Sequence, residues 1–263
     1  MAVEASAIYP AGVPITPRSP LRDSVELAVG YLLILIVIWS PRAWQRPFYI
    51  AALLWITGAT LLSLKFTDGA RAMGLRLSGI RRSFWIIPAA LFTAAIAILI
   101  ASRLHTLNQP DTPAGFIKRY WGYAIWACLQ QFLLQDFFLL RLLHLTRTTT
   151  AAVLAATAMF ALAHLPNPIL TPITILWGSI ACLLFLRYRS LYPLAIAHAV
   201  LGITVALTVP GPIDHNMRVG LGYLTYRHHH PHPHLSQNDQ IVSTTACVTA
   251  EAPTRLSFRH ALP

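Results

Sequence analysis

Charge is what this chain has least of. Only 11% of its 263 residues are Asp, Glu, Lys or Arg, while 56% are hydrophobic, and the mean hydropathy is +0.56. Soluble domains carry roughly 25% charged residues, so a soluble globular fold is excluded. Cysteine is scarce too. Cys128 and Cys182 fall inside apolar runs and Cys247 lies in a polar tail, which leaves no disulfide framework. There is no internal repeat of the kind that marks the inverted halves of a transporter. The loop from Lys65 to Arg82 contains Gly69, Gly74 and Gly79 but lacks phosphate-loop spacing.

What the chain does have is apolar runs of bilayer length, roughly 17 to 25 residues each. They fall near 24–40, 47–64, 84–102, 120–145, 150–165, 169–186 and 190–209. These are continuous blocks rich in Leu, Ala and Ile. A barrel would instead show alternating strands of about 10 residues. The pattern predicts an all-α, polytopic transmembrane bundle of about seven helices, within a range of roughly six to eight. The first run follows Arg18 and Arg22 and opens on Asp23-Ser24-Val25-Glu26, an acidic start with Glu three residues on. With no small-residue cleavage site after it, an uncleaved signal anchor is expected. Trp39, Trp44, Phe48, Tyr49, Phe84, Trp85, Tyr120 and Trp121 gather at run ends, where amphipathic rings favour the headgroup level.

The formal charge of +11 does not indicate nucleic acid as a partner, because the basic residues are spread over short loops rather than gathered on one stripe. Membrane topology accounts for it. Counting loops alternately, one side holds Arg18, Arg22, Lys65, Arg71, Arg76, Arg81, Arg82, Arg147, Arg187 and Arg189; the other holds Arg42, Arg46, Arg103, Lys118 and Arg119. This bias predicts an integral, multi-pass protein of the cell or inner membrane with a cytoplasmic N-terminus. Membrane lipid is the first expected partner. The Lys65–Arg82 loop reads as a positive-inside connector, with binding of anionic headgroups as the alternative. Residues 1–22 form a proline-rich N-terminal arm, 23–209 the membrane domain and 210–263 a polar, irregular tail. The tail carries His-His-His-Pro-His-Pro-His at 228–234, where metal binding would be adventitious.

Against this background the stretch Leu-Gln-Gln-Phe-Leu-Leu-Gln-Asp-Phe-Phe, 129–138, stands out for its three amides and one acid. A carboxylate near the middle of a span costs roughly 2.5 to 3.5 kcal/mol, while each Leu or Phe returns only a few tenths. The polar groups should therefore look into the bundle. On a regular helix Cys128, Gln131 and Gln135 share a stripe with Gln130 beside it, and Asp136 lies about 140° round from Gln131. Two further runs carry histidine. Phe160 and His164 are i and i+4 neighbours just before Pro166, and His198 lies midway along a span among small residues. A metal or haem site on His164 and His198 has no second pair of spaced histidines to support it; neither metal nor cofactor is expected.

Taken together these residues resemble the CPBP family of intramembrane proteases, which includes CAAX prenyl endopeptidases and Abi-type proteins. The family pattern is Glu-Glu-x-x-x-Arg, then Phe-x-x-x-His, then His-x-x-x-Asn, on three helices. Gln130-Gln131-Phe132-Leu133-Leu134-Gln135 occupies the first motif, Phe160 to His164 the second and His198 to Gly202 the third, within a core covering 118–208. The resemblance implies a hydrolase, an endopeptidase acting on a membrane-associated or lipidated peptide. A motif-one acid would activate water, helped by the two histidines, and motif-three groups would stabilise the oxyanion. It points to Gln130, Gln131, His164 and His198 as the catalytic set, supported by Gln135, Asp136, Phe160 and Gly202. Both glutamates of the pattern are glutamines here, its arginine is Gln135 and its asparagine is Gly202. A glutamine amide holds a water but does not take its proton. The chain is therefore either a protease whose base is His164, His198 or Asp136, or a catalytically silent binder of a membrane peptide or partner helix. Asp136 would reach the site only through a helix distortion such as a π-bulge.

Overall fold

The computed structural model of the protein describes residues 19–66, 73–75, 77–108, 110 and 112–226. Most of the N-terminal arm, residues 67–72 and 76 of the Lys65–Arg82 loop, the 228–234 histidines and Cys247 lie outside the described residues. Among the described residues all regular structure is helical. The long elements are α1 (Pro20–Trp39), α2 (Arg42–Phe66), α3 (Ile86–Arg103) and α4 (Pro113–Phe132). A π-helical segment, Leu133–Leu139, continues α4 into α5 (Leu140–Leu145). Then come α6 (Thr149–Leu162), α7 (Leu170–Tyr188) and α8 (Tyr192–Thr208), followed by two short helices, α9 (Gly211–Asp214) and α10 (Gly220–Leu224).

Local chemistry starts these helices where they start. Pro20, Pro113 and Pro193 sit in first turns, where a fixed φ is pre-set for the helix and the missing N–H costs nothing. The Thr112 hydroxyl accepts from the Gly115 N–H at 3.1 Å and the Thr148 hydroxyl from the Ala151 N–H at 3.1 Å, each satisfying one orphan donor of a helix start. At the other end, α7 stops at Arg189, which adopts a left-handed φ of 48°.

Three helical stretches, Ile80–Arg103, Pro113–Leu145 and Leu170–Tyr188, are long and apolar enough to cross a membrane, and Thr149–Leu162 and Tyr192–Thr208 are shorter apolar helices. The outward surface agrees with this. Leu54, Phe92, Ile117, Trp121 and Leu176 are 62% to 68% exposed, more contiguous apolar surface than a soluble monomer presents. Most of the aromatic residues at run ends are exposed, but Tyr120 is buried. Its ring packs on that of Phe116, with centroids 4.9 Å apart.

Packing sets α8 against both α3 and α4, α6 against α7, and α1 against α2 and α5, while the π-helical segment touches α6 and α7. Leu134, Phe137 and Leu139 of that segment are fully buried with Ala156, Phe185 and Ala197. α1 comes close enough that a Cβ on Gly30 would lie 2.6 Å from Phe137 Cε1, so glycine is required there.

A buried charge network ties α1 to α5. Arg141 donates from Nη2 to Glu26 Oε2 at 2.7 Å and from Nε to the same oxygen at 3.0 Å. Its Nη1 donates to the Phe137 carbonyl at 3.0 Å, and its guanidinium lies 4.0 Å from the Phe137 ring centroid. Glu26 also accepts from Arg22 Nε at 2.7 Å, and His144 Nδ1 meets Asp23 Oδ2 at 3.0 Å. Every charge is thus met by another, which is the condition for burying it. Removing one partner is the costly change: Glu26→Ala should destabilise the protein by roughly 3 to 5 kcal/mol, whereas Glu26→Leu with Arg141→Met should be close to neutral. Thermal unfolding of both variants in one detergent checks this.

Candidate functional site

Along α4, Arg119, Tyr123, Trp126 and Gln130 follow one another at i, i+4, i+7 and i+11, the spacing of a single helix face, and all four line a cavity of about 970 Å³. α6 and the turn after it contribute Phe160 and His164 to the same wall, α7 contributes Trp177, and α8 contributes His198 and Gly202. Gln131, one residue on from Gln130, is fully buried in the wall behind this face. The four residues singled out first from the sequence, Gln130, Gln131, His164 and His198, are therefore brought together, although they come from three separate segments.

The hydrogen bonds determine which ring nitrogen carries the proton. His164 Nδ1 lies 2.7 Å from the Phe160 carbonyl oxygen, which only accepts. Nδ1 therefore holds the hydrogen, and Nε2 is left with a lone pair that faces the Gln130 amide nitrogen at 3.4 Å. The Phe160 ring stands edge-on to His164 at 4.8 Å and to His198 at 5.9 Å, so it buttresses both imidazoles.

At His198 the logic runs through a tryptophan. The Trp177 indole N–H only donates, and it reaches Gln131 Oε1 at 3.3 Å. This settles which end of the Gln131 amide is oxygen. The same oxygen lies 3.1 Å from His198 Nδ1, so Nδ1 donates and the Nε2 lone pair is left available. Both histidines are thus held as Nδ1–H tautomers. Gln131 Nε2 finds no partner among the described residues, so the orientation is kept against a cost of about 1 to 3 kcal/mol for one unmet buried donor.

Two of the supporting residues lie elsewhere. Gln135 faces Cys182 rather than the cavity. Asp136 is buried, its carboxylate oxygens accept no hydrogen bond among the described residues, and the charges acting on it belong to Arg189 and Arg141. The π-helical segment that carries both residues does not turn Asp136 into the cavity. Cys128 is exposed, so the buried face of α4 runs through Tyr120, Ala127 and Gln131 instead. Gly202 does reach the cavity, and a Cβ there would overlap the Tyr123 hydroxyl.

Three residues of the wall were not singled out from the sequence. Trp177 is one more aromatic in an apolar run. Tyr123 shares the Gln130 stripe two turns earlier, which is a usable clue once Gln130 is in hand. Asp214, at the end of α9, is the one carboxylate among the cavity-lining residues. Its Oδ1 accepts from the Asn216 N–H at 2.9 Å. That bond closes a turn in which His215, Asn216 and Met217 all have positive φ, at 51°, 54° and 58°. Burial pushes the Asp214 carboxyl above the usual carboxylate range, against the pull of the Asn216 and Met217 backbone N–H groups. No hydrogen bond joins it to either histidine among the described residues.

Two histidines and two amides thus stand at or behind the wall of one interior cavity of a helical bundle. A family model described as Type II CAAX prenyl endopeptidase Rce1-like matches residues 120–204. The matched segment runs from α4 through α8 and is similar to that family over about a third of the chain. No curated protein and no solved structure matches the chain.

If Trp177 holds the amide, Trp177→Phe should free Gln131 to rotate and release the His198 tautomer at a cost of about 1 kcal/mol in stability. Nitrogen-15 chemical shifts of the His198 ring check it. The wild type should show a protonated Nδ1 alone, and Trp177→Phe a mixture of both tautomers.

Proposed function

We propose that this protein is an intramembrane endopeptidase of the CPBP type, which hydrolyses a peptide bond in a membrane-associated or lipidated peptide with His198 as the base. The observation that carries the reading is the chain Trp177 to Gln131 to His198, which holds a neutral imidazole with its Nε2 lone pair free at a cavity wall. A base held in one tautomer by a hydrogen-bond acceptor at its other nitrogen is the arrangement that general-base catalysis requires.

In this mechanism the Gln130 amide positions a water, and His198 Nε2 takes a proton from it as the water oxygen attacks the peptide carbonyl carbon. The imidazolium then returns that proton to the departing nitrogen, and the C–N bond breaks to give a carboxylic acid and an amine. His164, whose own Nε2 accepts from Gln130, keeps that amide turned toward the reacting centre. A neutral imidazole can accept a proton at the nitrogen that carries its lone pair. The family match over 120–204 supports a protease scaffold, and the apolar cavity supports a substrate that reaches the site from lipid.

We further read the chain as multi-pass with a cytoplasmic N-terminus. Leu191 N donates to the Gly74 carbonyl at 3.1 Å. This supports a common end of the bundle for Arg81, Arg82, Arg187 and Arg189, and so the positive-inside orientation. The second reading is a silent binder on the same scaffold. It is favoured by the fact that the amides at 130 and 131 take no proton.

The test is mass-spectrometric detection of cleavage products from prenylated and unmodified membrane peptides, with the purified protein in liposomes and chelator throughout. His198→Ala should lower kcat/KM at least about 100-fold, within the usual range for a general base, and His164→Ala with His198→Ala should abolish cleavage. Asp214→Asn should retain it. Loss of cleavage in Asp214→Asn with retention in His198→Ala would move the base to Asp214. An intact panel, with cutting gained only on Gln130→Glu and Gln131→Glu, would establish the silent binder.

A further inference from the structure

A phenol packed among apolar side chains is best satisfied by an acceptor for its hydroxyl. Tyr31 donates to the Met159 carbonyl at 3.0 Å and Tyr192 to the Leu75 carbonyl at 3.0 Å, as expected of a ring with one polar tip. Tyr123, like the buried Tyr120, finds no acceptor among the described residues. It lines the cavity, and its hydroxyl occupies the space that a side chain at position 202 would fill. Only glycine permits this approach, because any Cβ there would overlap the phenol oxygen.

The position of that oxygen matters. Gly202 is i+4 from His198, so the two lie on one face of α8, about 5 to 6 Å apart. Tyr123 and Gln130 share one face of α4. The phenol O–H therefore enters the cavity one helical turn from the His198 ring. It is a donor with nothing to donate to, beside an imidazole lone pair with nothing to accept. A carbonyl group spans that gap, with its oxygen toward the phenol and its carbon toward the nitrogen side. Donors preset at the carbonyl oxygen strengthen their bond as negative charge develops there.

We infer that the Tyr123 hydroxyl is the hydrogen-bond donor to the carbonyl oxygen of a peptide held in this cavity, made possible by the missing side chain at Gly202. This rests on the peptide-site reading above, but it holds equally if the site binds a peptide and does not cut it. Carbonyl oxygens also occur in lipid esters, so the experiment separates the two sources.

The probe is an S-farnesyl-cysteine peptide in which the bond after the cysteine is a ketomethylene isostere with ¹³C at its carbonyl, so that no turnover occurs. Infrared difference spectra are taken with the full chain in phosphatidylcholine vesicles. Bound to the wild type, the ¹³C carbonyl band should move to lower frequency than in vesicles alone. In Tyr123→Phe that component should vanish and the probe should bind about fivefold more weakly, the equivalent of roughly 1 kcal/mol. In Tyr123→Ala with Gly202→Asn, which moves an amide donor into the vacated space, the shifted component should return. A probe that binds with the same band position in wild type and Tyr123→Phe overturns the inference alone. A Tyr123-dependent shift of a ¹³C-labelled lipid ester band, without one in the peptide, assigns the donor to lipid and overturns the peptide assignment. A wild type that binds no probe sinks the peptide-site reading and this inference with it.

Discussion

Burying a polar group in an apolar interior costs several kcal/mol unless its hydrogen-bonding capacity is met, and the organisation of this protein follows from that cost. Arg141 is 1% exposed inside a bundle whose outer face is made of Leu, Ile, Phe and Trp. It is tolerable there because Glu26, the Phe137 carbonyl and the Phe137 ring surround it. The same pairing fixes how α1 lies along α5, since a shift of one helical turn would leave two charges uncompensated. Asp23 and His144 repeat the arrangement nearby.

The cavity obeys the same rule with neutral groups. Each imidazole has its Nδ1–H committed to a fixed acceptor. That leaves two Nε2 lone pairs, one engaged by the Gln130 amide and one available. The preorganisation comes from residues with a single hydrogen-bonding sense. A backbone carbonyl can only accept and an indole can only donate, so the ambiguous groups between them, Gln131 and the two histidines, are left with one consistent assignment.

Replacing an acid by an amide in such a place has two effects that oppose each other. Glutamine is far cheaper to bury than glutamate and keeps the acceptor that orients His198. It also removes a proton acceptor and leaves an amide N–H₂ to be satisfied, which Gln131 Nε2 is not among the described residues. Glycine at 202 has a different consequence. The absence of a side chain admits the Tyr123 phenol, so a polar group still stands beside His198, supplied by α4 instead of α8.

The all-helical membrane bundle was legible from the sequence, because 56% hydrophobic content in continuous runs has few other physical outcomes. Three candidate spans and two shorter apolar helices accord with it. Gln130, Gln131, His164 and His198 were legible as polar exceptions in those runs, since insertion cost alone marks them for the interior. Other features were not. The role of Arg141 depends on Glu26, 115 residues away in the chain. Trp177 and Tyr123 are ordinary aromatics until another helix is laid beside them. Helical periodicity put Asp136 off the amide stripe, but only the tertiary structure shows it buried beside arginines rather than at the cavity. The order of apolar and polar residues, by itself, determined that there are membrane helices and which side chains must avoid lipid, because transfer free energy is local to each residue. Tertiary structure alone decided which of those side chains meet, which ring nitrogen holds a proton and which hydroxyl is left free, because hydrogen bonds have length and direction and their partners here come from different helices.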